Sequence, residues 1–255
     1  MSLLVETSAG VARVTLNRPD VHNAFDGELL LRIGQTFTAL GQDPAVRVIV
    51  LAGAGKSFCA GADLAWMRST ATLDAEKNAQ NALELAGLFA AIDGCPKPVV
   101  GRVHGAAMGG GVGLVACCDV VVAGPRAKFT LSEVRVGMAP AVISPFVVGK
   151  IGSSRARELF LTGDSIDAER AFQIGLVHRL ATDETLDTLV DAAVGSLIKG
   201  GPEALAVNKR LAKEASSIPP LELAELIARL RTSTEAQEGM LAFLMKRPPA
   251  WIPPA

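Results

Sequence analysis

From Lys97 to Glu133 the chain reads Lys97-Pro-Val-Val-Gly-Arg-Val-His-Gly105-Ala-Ala-Met-Gly109-Gly-Gly-Val-Gly113, then Leu-Val-Ala-Cys-Cys-Asp119, and further on Phe129-Thr-Leu-Ser-Glu133. An apolar strand runs into a glycine turn, and the turn opens a short helix. Backbone N–H groups at a helix start hold developing negative charge. A carboxylate, Glu133, follows twenty positions after Gly113, and a carboxylate near such donors can move a proton. An oxyanion site with one acid/base is machinery for chemistry next to a carbonyl.

The rest of the chain supplies a setting for that run. Leu3–Thr7 and Val11–Leu16 read as two strands about Ala9-Gly10, and Asn17-Arg-Pro-Asp20 as a turn. Leu30, Ile33, Phe37 and Leu40 lie on one face of a helix expected over Gly27–Leu40. Val46–Leu51 is an almost continuous apolar run, as in a strand buried on both faces. A loop, Ala52 to Asp63, comes next, and Leu73–Ile92 reads as a long amphipathic helix. Val99–Val103 and Val120–Ala123 read as strands on either side of the glycine-opened helix. Alternating strands and helices imply crossovers and a largely parallel sheet, an α/β fold. After Ser144 the pattern turns mostly helical, with helices expected over Ser153–Leu161, Asp167–Ile174, Thr185–Ile198, Pro202–Ala215 and Leu221–Leu244. The segment from Arg247 to Ala255 carries four prolines and reads as extended.

Composition bounds the function. Of 255 residues, 49% are hydrophobic and 20% charged, enough for a large core. A net charge of -1 gives no electrostatic case for nucleic acid or a membrane surface. No apolar run approaches the ~18 residues of a membrane-spanning helix, and Met1–Glu6 lacks the pattern of a signal peptide. Cys59, Cys95, Cys117 and Cys118 form no CxxC pair and histidines number three, so no metal site is expected. The thiols read as reduced, in a cytoplasmic protein.

Each candidate group also has a plain structural explanation. The triplet Gly109–Gly111 serves either close approach of a ligand or tight strand–helix packing, and it fits neither a dinucleotide fingerprint nor a phosphate-cradling loop. Asp63 in Phe58-Cys-Ala-Gly61-Ala-Asp63-Leu64 is placed to cap a helix over Leu64–Arg68. Two glycine-bearing loops after two buried strands nevertheless can offer two N–H donors to one carbonyl oxygen. Glu133, among apolar neighbours, is either a carboxyl of raised pKa or the partner of Arg135 or Lys128. Asp119, His104 and His178 read as structural, and Ser144 lacks the G-x-S-x-G context of a hydrolase nucleophile.

The ordered series of motifs resembles the enoyl-CoA hydratase/isomerase (crotonase) superfamily over essentially the whole chain. It comprises Leu16-Asn-Arg-Pro19 with Asn23-Ala24, Phe58 to Leu64, Lys97-Pro-Val-Val, Gly105 to Gly111, Cys118-Asp119, Phe129 to Glu133, Leu161-Thr-Gly-Asp164 and Ala171 to Val177. The resemblance implies a crotonase-like (ClpP/crotonase) fold of repeated ββα units, with residues 1–195 as the core and 196–255 as a helical region that builds homotrimers or hexamers. It implies an acyl-CoA thioester as substrate and no separate cofactor, since CoA is part of the substrate. It also implies an oxyanion hole from the N–H groups of Ala62 and Gly110, with Glu133 as acid/base. With Ala62 and Gly110, the residues Val21, Ala60, Asp63, Leu64 and Gly113 match positions that bind the substrate or its CoA, and Phe243 and Lys246 match more loosely a C-terminal contact to it.

One position departs. Two-glutamate hydratases carry a first carboxylate where this chain has Gly113, so only Glu133 matches. A single carboxylate suits a Δ3,Δ2-enoyl-CoA isomerase. Against that, Leu131 to Gly137 and Ala139 to Pro145 look like bacterial hydratases of leucine and isoprenoid breakdown, described as methylglutaconyl-CoA or carboxygeranoyl-CoA hydratases. The expectation is an enoyl-CoA hydratase for a short or branched 2-enoyl-CoA. The alternatives are the isomerase and a CoA-ester-binding homologue without catalysis.

Overall fold

The computed structural model describes residues 1–252. Leu3–Ser8 (β1) and Val11–Leu16 (β2) form the antiparallel hairpin, with Leu3 opposite Leu16. Gly27–Gln42 (α1) starts at Asp26, whose side chain accepts from Leu29 N–H at 2.9 Å. Val48–Gly53 (β3) begins two residues later than the apolar run suggests, because Val46 N–H turns back to the Asp43 carbonyl. Leu64–Thr70 (α2) and Ala75–Asp93 (α3) lead to Val99–Val103 (β4), Ala106–Met108 (β5) and Gly110–Cys117 (α4). Val120–Ala123 (β6) and Lys128–Thr130 (β7) precede a 3-10 turn at Glu133–Val136. Ser144–Ile151 (α5), Ser153–Thr162 (α6), Ser165–Asp167 (β8), Ala168–Gln173 (α7) and Arg179–Leu180 (β9) follow. The C-terminal helices are Leu186–Ile198 (α8), Pro202–Glu214 (α9), Pro220–Thr232 (α10) and Thr234–Leu244 (α11).

The strands divide into two sheets. Six run in the order β1-β2-β3-β4-β6-β9, all parallel except the first hairpin, and three run β5-β7-β8. The small sheet is a correction to the single sheet read from sequence. Its strands are three residues each, too short for a period to show. In the units β4–β5–α4 and β6–β7–α5 the first strand enters the large sheet and the second the small one. This is an α/β architecture of repeated strand–strand–helix units, as the resemblance implies.

Alternation along the central strands sorts the core onto two faces. Ile49, Leu51, Val99, Val103, Val121 and Ala123 meet α1, α3 and α4, whereas Val48, Val50, Val100 and Val122 meet Val190 and Val194 of α8. A strand covered on both faces has no polar face to show, which is why β3 reads as an unbroken apolar run. The division expected after residue 195 falls inside α8. The single helix expected over Leu221–Leu244 is two helices, because Ser233 leaves the helical region (φ -67, ψ 152) and caps α11 by accepting from Ala236 N–H.

The proline-rich segment is not extended up to Ile252. Ile252 N–H turns back to the Pro249 carbonyl, and Trp251 donates through Nε1 to the Lys199 carbonyl. Residues 253–255 of that expectation lie outside the described residues. Arg47, just before β3, gathers this end of the molecule: its guanidinium donates to the carbonyls of Trp251 (2.6 Å), Gly200 (2.7 Å) and Ile198 (3.4 Å).

Candidate active site

Two loops meet beyond the carboxyl ends of β3 and β4. Cys59 of the first loop bridges Ala107 of β5: Cys59 N–H donates to the Ala106 carbonyl, and Met108 N–H to that of Cys59. A Cβ built on Gly61 stands 3.4 Å from Gly110 N, so the loops touch at the residues singled out in the sequence. Phe25 N–H donates to the Gly61 carbonyl at 2.8 Å. In a trans peptide the C=O and the following N–H point oppositely, so this bond fixes the direction of Ala62 N–H. Likewise the Gly109 carbonyl accepts from Val112 and Gly113, which turns Gly110 N–H out of the start of α4. Among the described residues no acceptor takes either N–H. Two free donors and the positive end of α4 thus share one cleft.

Glycine is required at 109 and 110 for different reasons. Gly109 adopts φ 50, ψ -117, which is open to glycine alone. A Cβ there also stands 3.0 Å from Glu133 Oε1, so the carboxyl lies directly on the turn that presents Gly110 N–H. At Gly110 a Cβ overlaps the tip of the Phe25 ring.

Glu133 stands at the start of its 3-10 turn, half-buried, with Oε2 buried and without a hydrogen-bond partner. Burial pushes its pKa above the ordinary glutamate value against its own backbone N–H, which favours the anion. Neither ion pair considered from sequence forms: Arg135 turns to Asp164 at 3.0 Å and the Gly163 carbonyl, and Lys128 has no carboxylate partner among the described residues. A carboxyl with raised pKa and a spare oxygen, beside two free N–H donors, is fitted to shuttle a proton next to a polarised carbonyl.

Gly113 brings no polar group to this cleft. It lies inside α4, buried, and a Cβ on it meets Ile143 Cγ2 and comes within 2.8 Å of Phe89 Cε1. The space that a side chain at 113 would enter holds two apolar residues, both buried. Phe89 in turn packs on Phe146, ring centroids 6.0 Å apart.

Asp63 does cap α2, accepting from Ala65 N–H (2.8 Å) and Trp66 N–H (3.3 Å), and its other oxygen pairs with Arg18 at 3.1 Å. Burial opposes its ionisation, but those two N–H donors and the Arg18 charge outweigh it and hold the carboxyl below the usual range. Arg18 also donates to the Ala24 carbonyl (2.6 Å) and reaches Asp26 (3.2 Å), joining the caps of α1 and α2. Asn23 is fully buried with φ 59 and donates to the carbonyls of Ala54 and Ser57. The residues 18–25 thus brace the first loop. The sequence does not single out Arg18 or Phe25 as contributors to the site; Arg18 lies within the Leu16–Pro19 motif and Phe25 directly follows Asn23-Ala24.

Ala60 lies beside this brace, its N–H on the His22 carbonyl, while Val21 and Leu64 are exposed at its rim. Phe243 and Lys246 are elsewhere in the same chain. They close α11, whose Glu238 pairs with Arg247 and accepts from Ala250 N–H, next to Trp251 and Arg47. Arg47 precedes β3 and Ala62 follows it. Six strand residues, roughly 20 Å, separate the two ends.

Asp119 proves structural: Oδ2 accepts from Val99 N–H (2.7 Å) and pairs with Lys209 (2.8 Å). His178 Nδ1 accepts from Val121 N–H, and His104 bonds the Gly55 carbonyl. All four thiols are unpaired and buried, and burial pushes those of Cys59 and Cys118 up to about 12. Among the described residues no three metal-ligating side chains converge, and no helix is long and apolar enough to cross a membrane.

Comparison with known proteins adds three findings. The family model described as enoyl-CoA hydratase/isomerase matches residues 6–253. A crotonyl-CoA hydratase of Syntrophomonas wolfei is 33% identical, covering 96% of each chain, and a trans-2-decenoyl-[acyl-carrier-protein] isomerase of Streptococcus mutans is 29% identical, covering 97% of this chain and 96% of its own. The crystal structure of an enoyl-CoA hydratase from Shewanella pealeana superposes with a TM-score of 0.94 at 38% identity, over 98% of this chain and 96% of that one.

Proposed function

We propose a reaction for this chain on one premise: it belongs to the enoyl-CoA hydratase/isomerase family. It is an enoyl-CoA hydratase, acting on a short or branched 2-enoyl-CoA thioester, with 3-methylglutaconyl-CoA among the candidates. The observation that carries the reading is the meeting of Ala62 N–H and Gly110 N–H, both free, with the unpartnered Glu133 carboxyl on Gly109.

The thioester oxygen binds to the two N–H groups. Water oxygen bonds C3 of the acyl chain as the C2=C3 pair moves toward C1, and the charge arriving on the thioester oxygen is held by Ala62 and Gly110. Each such donor is worth about 3 kcal/mol of barrier. The Glu133 carboxylate takes the proton from water and returns a proton to C2, ending as it began. Val21, Ala60, Asp63 and Leu64 line the CoA. The non-catalytic alternative is disfavoured, since an unpartnered buried carboxyl oxygen costs stability with no return in a pure binding protein.

One observation favours a second reading. With Ile143 and Phe89 filling the space beside Gly113, no second carboxylate orients the water. In a Δ3,Δ2-isomerase the Glu133 carboxylate takes a proton from C2 of a 3-enoyl thioester and returns it to C4, with no water involved. Support for this reading also comes from a relative named a trans-2-decenoyl-[acyl-carrier-protein] isomerase.

The C-terminal region, from residue 196 in the sequence reading, is assigned to assembly into homotrimers or hexamers. Support comes from its exposed apolar side chains, Leu221, Phe243, Leu244 and Met245. Phe243 and Lys246 then reach the CoA of a neighbouring copy rather than their own. Four unpaired thiols support a cytoplasmic location.

Mass spectrometry of reactions with crotonyl-CoA, 3-methylglutaconyl-CoA and a 3-enoyl-CoA separates the readings. A product heavier by one water, lost in Glu133→Gln, is the expected result. A product of unchanged mass with a shifted double bond, and no hydration, replaces it with isomerase.

A further inference from the structure

Phe25 touches both halves of the oxyanion site and no open solvent. Its backbone brackets Ala62: Phe25 N–H donates to the Gly61 carbonyl at 2.8 Å, and Asp63 N–H donates to the Phe25 carbonyl at 2.9 Å. Its ring lies on Gly110, where an added Cβ would overlap Cζ and stand 3.0 Å from Cε1. The ring is 1% exposed. One donor is therefore held by the main chain of Phe25 and the other is packed on its side chain.

We propose that Phe25 is a positioning residue that sets the spacing of the Ala62 and Gly110 N–H donors. Its ring is rigid, with only two side-chain torsions. It converts the place of the 18–25 brace into a distance between the two loops. A side chain of other shape at 25 leaves both loops folded, because Cys59 still pairs with β5 and Asn23 still holds Ala54 and Ser57. The two donors then no longer converge on one oxygen. Misplacement on the scale of 1 Å costs about a hundredfold in rate. The inference rests on the oxyanion reading given above, which the test checks separately.

The test uses Phe25→Leu, with Phe25→Met beside it, and Phe37→Leu as a control. Phe37 is equally buried, in α1, away from the loops. A bound 2,4-dienoyl-CoA reports polarisation of its thioester carbonyl as a fall in the C=O stretching frequency in difference Raman spectra. Wild type is expected to show the fall. Both Phe25 variants should lose it while still binding the ester, with kcat down about a hundredfold and KM unchanged. Phe37→Leu should lose similar thermal stability and keep both the fall and kcat. A fall and a kcat retained in the Phe25 variants overturn the role of Phe25 alone. So does equal loss in Phe37→Leu. No fall in wild type overturns the oxyanion reading, and this proposal with it.

Discussion

The two ends of α4 are built from the same eight-residue helix and left in opposite states. At its C-terminal end the polar side chains are partnered. Lys150 donates to the Cys118 carbonyl, Cys118 Sγ to Leu114 and Cys117 Sγ to Phe89, and Asp119 is held by Val99 and Lys209. At its N-terminal end Gly110 N–H has no acceptor and the nearby Glu133 carboxyl keeps an oxygen unbonded. Two carboxylates thus flank one helix. The saturated one belongs to the fold, and the unsaturated one is available to a ligand. Residue type does not separate them, but their partners do.

Exchanging the two roles by mutation gives the sharpest breaks. Glu133→Gln should lower turnover by about a thousandfold, roughly 4 kcal/mol of barrier, while CoA-ester binding in calorimetry survives. Lost binding with unchanged turnover would remove Glu133 from the acid/base role. Asp119→Ala should do the reverse. It strands Lys209, whose side chain is 9% exposed, and should cost about 2–3 kcal/mol in urea unfolding with kcat per folded molecule intact. If Asp119→Ala abolishes turnover in folded protein, the contrast between the ends fails.

Gly113→Ala probes the middle of the helix. Its Cβ enters the Ile143–Phe89 contact, an overpacking cost of about 1–3 kcal/mol, less the roughly 1 kcal/mol that alanine gains over glycine in a helix. A net loss in unfolding free energy is expected. A net gain would mean that Ile143 yields freely and that a larger side chain can be built there.

The smallest effect is on pH dependence. The Glu133 pKa is raised in the fold by burial, so the folded chain holds this proton more tightly than the unfolded one. Its contribution is fully present below the ordinary glutamate range and is lost as pH rises through the raised value. Wild type should therefore lose stability relative to Glu133→Gln as pH rises above the ordinary glutamate range, read as a change in the difference between urea midpoints. A difference independent of pH would show that the carboxyl titrates normally.

Legibility in the sequence followed the same division. The two-faced strands β3 and β4 and the amphipathic α1 announce themselves, because burial on two faces or on one stripe leaves a pattern over five or more residues. Strands β5, β7 and β8 leave none, and β5 hides among the glycines that feed the site. Ser233 breaks α10 from α11 through a capping bond that the apolar period does not register. At the site, the triplet Gly109–Gly111, the loop around Gly61 and Glu133 stand out because glycines and a carboxylate are unusual after apolar runs, whereas Ala62 and Gly110 as the two donors come from the resemblance. Phe25 did not, since a buried phenylalanine looks the same whether it fills a core or spaces two loops. Phe243 and Lys246 followed from the resemblance alone, and one chain does not bring them to the loops.

Arg47 carries a consequence for the order in which the molecule is made. Its Nε is buried without a partner, and its remaining donors reach carbonyls near residue 200 and at Trp251, 204 positions away. As the chain leaves the ribosome, β2, β3 and β4 can align while this cation still lacks acceptors. The entry to the central sheet is completed only when the C-terminal segment returns to it. A chain cut short before Trp251 would lose the 2.6 Å acceptor of Arg47 and the indole that reaches the Lys199 carbonyl, leaving Gly200 and Ile198 to hold that cation.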